Sequence, residues 1–315
     1  MREKVISILL IIIIICFIPI FITTLIKGIP KNYKKEVDTQ VQQSQSVRVM
    51  VNDEEQVIKL EDYLIGVVAA EMPVNFYDEA LKAQAVAART YTLKKLKSEE
   101  KFIFTSNEQA FITKQEMETR WGTNNFAKNY NKIKKAVQET KNEVIAYKGE
   151  LIEAVFHSTS AGKTQSAKEV WGEDIPYLVS VESSEDINSP EYLHKRVFTK
   201  EEFIEKIKEN EQDFQTYSKE LVSEIQIINR TPEGYIAKIQ VGNKILEGEK
   251  IRNYLGLESS NFTIQNADGK IEILCKGYGH GVGMSQYGAD FLAQKGYNYK
   301  EILNYYYTNI EVTTN

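Results

Sequence analysis

The stretch Leu60–Leu93, LEDYLIGVVAAEMPVNFYDEALKAQAVAARTYTL, decides the fold. Tyr63, Leu64, Val67, Val68 and Met72 recur near helical spacing and predict a helix from Leu60 to Glu71. Its small residues Gly66, Ala69 and Ala70 let a neighbour pack close. Pro73 stops it, because proline restricts the residue before it and has no N–H to donate. Asp78 and Glu79 open a second helix at the positive end of its dipole. Ala80, Leu81, Ala83, Ala85, Val86, Ala87 and Ala88 make that helix apolar nearly all round, which predicts burial. Gln84 and Arg89 lie inside the buried run, and Glu71 lies at the bend between the helices.

A glutamate placed there has two readings. Desolvation raises a carboxyl pKa and keeps the group protonated near neutral pH, the state a general acid requires. Alternatively, Glu71 makes a structural ion pair with Arg89 across the bend.

Outward from this pair, Val47–Val51 alternates like a strand, Asn52-Asp53 is a turn signal and Gln56–Leu60 returns as a second strand. Residues 102–121 carry no clear period. Asn125–Thr140 reads as a helix, and Val144–Tyr147 with Leu151–Phe156 reads as a hairpin about Gly149. The hairpin ends in a loop of small polar residues, His157 to Gln165, the kind of loop that carries function after a buried strand. Ser183–Pro190 reads as a linker and His194 as an ordinary surface residue. Residues 190–250 read as a second lobe: Thr199 with Glu202 forms a capping box, and Leu221–Asn229 and Tyr235–Val241 resemble strands. A strand at Ile271–Cys275 runs into Gly277–Ala289, where five glycines fall in twelve residues among aromatics, His280, Ser285 and Gln286. Glycine allows positive φ and close backbone approach, which suits a loop lining a groove. The expected fold class is α+β. A helix-pair active-site core packs on antiparallel β-hairpins, with a second smaller α/β lobe, behind a single N-terminal transmembrane helix.

That helix is read from Val5–Ile26, an uncharged apolar run, against the ~20 residues that span a bilayer. No small-residue cleavage site precedes Lys27, so an uncleaved anchor is expected. Basic residues flank both sides, and charge does not orient it. The expected organisation is a cytoplasmic tail over 1–4, an anchor over 5–26, a flexible polar linker over 27–46 and a catalytic domain over 47–312.

Composition excludes several chemistries. The 44 acidic and 39 basic residues are intermixed, for a net charge of -5, with no basic patch for nucleic acid. Cys16 lies in the apolar run, so no disulfide to Cys275 is expected. Three histidines without an H-E-x-x-H argue against metal-assisted hydrolysis. Gly283-Met284-Ser285-Gln286-Tyr287 lacks the last glycine of a nucleophile elbow. That leaves a serine triad with His157 or His280 to be recognised by geometry alone. No phosphate loop or dinucleotide fingerprint is present, and no cofactor is expected. Glycosidic cleavage fits better. A hydrolase usually wants two carboxylates flanking the bond. A lytic transglycosylase needs one, which protonates the leaving oxygen and then takes the proton of the sugar's own 6-hydroxyl as the anhydro ring closes.

Val68–Pro73, Glu79–Tyr91, His157–Gly162, Val170-Trp171-Gly172 and Gly279–Ala289 come in one order over roughly Val47 to Val312. In these motifs the chain resembles the stage II sporulation protein D family, the membrane-anchored peptidoglycan lytic transglycosylases of spore-forming Gram-positive bacteria. The resemblance implies a catalytic Glu71 with Gln84 and Arg89 lining the same site. It implies substrate contacts from His157, Ser158 and Ser160 on one loop and from His280, Ser285, Gln286 and Tyr287 on the other. The implied substrate is glycan strands already stripped of stem peptides, cut during engulfment of the forespore. The implied partners are a sporulation amidase and other membrane proteins of the engulfment machinery. The domain would lie outside the cytoplasm, on the mother-cell engulfing membrane facing the forespore. Some members bind zinc through Cys and His after the second helix; Phe102–Phe111 has neither, so no metal site is expected. The alternative is a non-catalytic glycan-binding module like the related amidase enhancers.

Overall fold

The computed structural model describes residues 46–99, 101–218 and 220–314. The expected anchor over 5–26 and all of the expected linker but residue 46 lie outside the described residues. Among the described residues no helix is long and apolar enough to cross a membrane.

Strand β1 (Ser46–Val51) buries Val47, Val49 and Val51 and pairs antiparallel with β2 (Glu54–Lys59). Asn52 and Asp53 make the turn with φ of 51° and 63°, as a tight hairpin between right-twisted strands requires. The hairpin feeds into α1 (Leu60–Glu71). Met72 caps it in an extended conformation, the one a residue before proline favours. Helix α2 (Asp78–Ser98) follows, with Ala80, Leu81, Ala83, Ala85 and Val86 fully buried. Short β3 (Ile103–Phe104) runs parallel to β1. Helices α3 (Lys114–Trp121) and α4 (Thr123–Glu139) come next. Strand β4 (Glu143–Tyr147) pairs with β5 (Glu150–Leu151) on one side and with β14 (Glu311–Thr314) on the other.

The hairpin expected to continue to Phe156 stops at Leu151. Ile152 and Ala154 are buried in the core, and the Val155 carbonyl accepts from Met284 N–H at 3.2 Å and Tyr307 Oη at 2.7 Å. The chain therefore leaves β4, and β6 (Phe156–His157) pairs in parallel with β13 (Met284–Ser285) instead.

Helix α5 (Ala167–Trp171) and a 3₁₀ turn over Ser184–Asn188 lead to a second cluster of buried side chains, running from Phe198 to Cys275. It is built from β7 (Leu193–Phe198), α6 (Lys200–Lys208), β8 (Ile225–Arg230), β9 (Ile236–Val241), β10 (Lys244–Glu247), α7 (Gly248–Leu255), β11 (Phe262–Ala267) and β12 (Lys270–Lys276). Its sheets have the orders β10-β9-β8 and β11-β12-β7, both antiparallel. Helices α8 (Gln286–Gln294) and α9 (Tyr299–Tyr306) return to the first core, where α2 packs against α1, α4, α8, α9 and β4. The fold is thus mixed α+β with small, mostly antiparallel sheets.

Arg89, fully buried in α2, holds the first core together. Its Nε and Nη2 donate to the two Glu61 carboxylate oxygens at 3.1 and 2.8 Å. The guanidinium also donates to the carbonyls of Val137 and Glu143. Arg89 thus ties α1, α4 and the start of β4 to α2. We expect Arg89→Ala to cost about 3–5 kcal/mol, since it strands the Glu61 carboxylate and two carbonyls. A fall in the urea midpoint at constant m-value checks this.

Candidate active site

Glu71 is the last residue of α1. Its Oε1 accepts the Ala110 N–H at 2.9 Å, and its Oε2 lies 3.4 Å from Gln286 Nε2. That amide nitrogen also lies 3.4 Å from Gln84 Oε1. Burial raises the Glu71 pKa above the ordinary carboxylate value, opposed by the Ala110 N–H and the Gln286 amide. The negative end of the α1 dipole disfavours the anion further. Among the described residues no lysine or arginine pairs with it; Arg120 Nη1 donates to the Ala69 carbonyl instead, at 2.8 Å. Ala110 is delivered by a loop pinned on buried Gln109. Gln109 accepts from Tyr63 Oη and Thr92 Oγ1 and donates to the Ala88 carbonyl.

Two cavities meet at this carboxyl. One, of about 280 Å³, is lined by Glu71 with Arg120, Trp121, Ser158, Glu191 and Tyr287. The other, of about 330 Å³, is lined by Glu71 with Tyr91, Glu108, Ala110, Phe156 and His280. Glu108 is engaged locally, accepting from the Thr105 N–H and Oγ1.

The walls come from two loops held edge to edge by the β6–β13 pairing, with His157 opposite Ser285. Buried Asp186 locks them: its Oδ2 accepts the Ser160 N–H at 2.7 Å and the Ser285 hydroxyl at 2.8 Å. Ser285 caps α8 by accepting from Gly288 N–H, so Gln286, the first residue of the helix, points at Glu71. Gly283 has φ +73°, and a methyl group on it would lie 2.1 Å from the Val155 carbonyl oxygen. One on Gly288 would lie 2.0 Å from Tyr306 Oη. Both approaches exclude a side chain.

His157 and His280 are neutral at neutral pH. Burial, then the neighbouring His280, push His157 down to about 3. Burial, then Arg252, push His280 down to about 4. His157 Nδ1 donates to the Val282 carbonyl at 3.1 Å, and His280 Nδ1 accepts the Val282 N–H at 3.0 Å. Neither ring supplies a proton to a substrate at neutral pH, and neither bonds to Ser158 or Ser285.

The structure brings Glu71, Gln84 and Gln286 together and places Ser158, His280 and Tyr287 on the cavity walls. His157, Ser160 and Ser285 are buried behind the walls and support them. Arg89 corrects the expectation that it lines this site or pairs with Glu71: its guanidinium is consumed by Glu61 and two carbonyls. Sequence reasoning missed Ala110, Arg120 and Trp121, which belong to a stretch without period. Thr113 and Glu116 form a capping box that announces α3 there. It also missed Asp186, inside what reads as a linker. His194 is half-buried and lies 3.3 Å from the carboxylate of Glu191, which lines the first cavity. Among the described residues no group of three or more His, Cys, Asp or Glu is placed to hold a metal ion.

Comparison with known proteins adds the family. Residues 51–147 match the family model SpoIID, Stage II sporulation protein, and residues 178–283 match a domain of unknown function, DUF8618. Stage II sporulation protein D of Bacillus amyloliquefaciens is 40% identical over 264 residues, covering 81% of this chain and 74% of that protein. The protein of the same name from Bacillus subtilis (strain 168) is 38% identical over 264 residues, covering 81% and 75%. The amidase enhancer of Bacillus subtilis (strain 168) is 29% identical over 302 residues, covering 80% of this chain and 40% of that protein. With stage II sporulation protein D from both Bacillus species matched over about three quarters of its length, the chain belongs to the SpoIID family of sporulation proteins.

Proposed function

We propose that the protein is a lytic transglycosylase that cuts peptide-free peptidoglycan glycan strands, with Glu71 as the acid and then the base. In this reading residues 5–26 anchor it in the mother-cell engulfing membrane, the domain faces the forespore outside the cytoplasm, and it acts after a sporulation amidase. The observation that carries the reading is a half-buried carboxyl with a raised pKa, without a cation partner, at the junction of two cavities.

The chemistry follows from the two donors. Protonated Glu71 gives its proton to the glycosidic oxygen as the bond to the muramyl C1 breaks. The carboxylate so formed is held by the Ala110 N–H and approached by the Gln286 amide. It then accepts the proton of the 6-hydroxyl while that oxygen bonds to C1, closing the anhydro ring. No water is consumed, and the proton returns to Glu71. The similarity to an amidase enhancer keeps a second reading in view, a module that grips glycan without cutting it.

The test incubates the full-length protein in detergent with peptide-free glycan and analyses the ends by mass spectrometry. Anhydromuramyl ends are expected; reducing muramyl ends would mean hydrolysis. No cleavage, with an amidase stimulated, would establish the gripping module. We expect Glu71→Gln to lose at least about a hundredfold in rate, the scale of general acid catalysis. It should nevertheless fold. A carboxyl whose folded pKa lies above its unfolded value loses stabilisation as pH rises through the folded pKa. Glu71→Gln should therefore melt at or above the native temperature at neutral pH, with the gain vanishing below the ordinary glutamate pKa.

Gln286→Ala removes a donor that lowers the Glu71 pKa. The acid form then persists to higher pH, and the alkaline limb of the rate profile should move upward. A downward or absent shift would remove Gln286 from the site.

A further inference from the structure

Glu71 does not sit at the blind end of a cleft. It lines both cavities, and its oxygens divide the same way: Oε1 toward Ala110 of one, Oε2 toward Gln286 of the other. Trp121 and Tyr287 belong to the Gln286 side. On the Ala110 side the wall does not stop at His280. The indole of Trp171 lies 5.7 Å from the His280 ring at 51°, and 43% of Trp171 remains exposed.

The indole is carried on a fixed mount. Ser166 caps the short Ala167–Trp171 helix, and Gly172 ends it in the left-handed region. Ala167 N–H donates to the Leu178 carbonyl, and Gln165 Nε2 donates to the carbonyl of His280 at 2.9 Å. The chain has two tryptophans. One lines the cavity that Glu71 shares with Gln286, and the other adjoins His280 in the wall of the cavity that Glu71 shares with Ala110. A flat apolar face with an N–H at its rim suits the C–H face of a pyranose, and a rigid aromatic loses little entropy on binding.

Resting on the glycan-cleaving reading of Glu71, we propose that Trp171 is a distal sugar platform. A glycan strand crosses Glu71 from the Trp121 side, passes His280 and stacks on Trp171, so the protein cuts within strands rather than from their ends. The occupant is an amino-sugar polysaccharide, whose pyranose rings offer a C–H face to the indole.

The test separates binding from cutting. Full-length Glu71→Gln in detergent is titrated with peptide-free glycan oligomers of graded length, with and without Trp171→Ala. Truncation at Trp171 should weaken long oligomers about fivefold to thirtyfold, the range for an aromatic anchor, and leave a disaccharide unchanged. Trp171→Phe should restore part of the loss, and thermal unfolding checks that each variant is folded. Early products of the native protein should have intermediate lengths. Equal affinities at every length for Trp171→Ala, or early products that are only disaccharides, would overturn the platform while leaving the acid intact. A length-dependent loss of binding without any cleavage would support the platform and remove the acid.

Discussion

The pairing of Arg89 with Glu61 is the interaction on which the rest of the molecule rests. Helix α2 buries a full guanidinium, and a buried cation must find an anion and hydrogen-bond acceptors. Glu61, in the first turn of α1, supplies the anion, and the Val137 and Glu143 carbonyls supply the remaining acceptors. The same helix ends in a second glutamate. Because Glu61 satisfies Arg89, Glu71 meets only neutral donors, Ala110 N–H and Gln286. One carboxylate is spent on the fold, and burial raises the pKa of the other.

A second buried carboxylate, Asp186, performs the matching task for the walls. Ser160 and Ser285 are far apart in the chain, and both donate to one Asp186 oxygen. Burial raises the Asp186 pKa, with the serine donors opposing. Through the cap that Ser285 forms, this contact orients Gln286. The acid and its walls are therefore positioned by polar contacts sealed inside the protein, where low dielectric strengthens each of them.

Much of the architecture could be read from the chain. Leu60–Glu71 shows its helix through apolar spacing and Pro73, and Thr199 with Glu202 announces α6 by a capping box that the structure contains. Asn52-Asp53 marks the first hairpin because few residues tolerate two left-handed conformations in succession. What escaped was non-local. Nothing near Leu151 says that Val155 must turn away to meet Met284 and Tyr307, residues far along the chain. Nothing near Arg89 says which of two glutamates it will choose, since both lie on the preceding helix. Asp186 sits among serines and acids with no period, and its meaning comes wholly from partners 26 and 99 positions away.

The tight approaches at Gly283 and Gly288 give a rule for comparing more divergent chains. A methyl at the first would strike the Val155 carbonyl, and at the second the Tyr306 hydroxyl. A distant sequence that keeps glycine at both places can retain this loop conformation unchanged. One that carries any larger side chain at either has rebuilt the ground under its Gln286, and the identity of that neighbour must then be established afresh rather than aligned across.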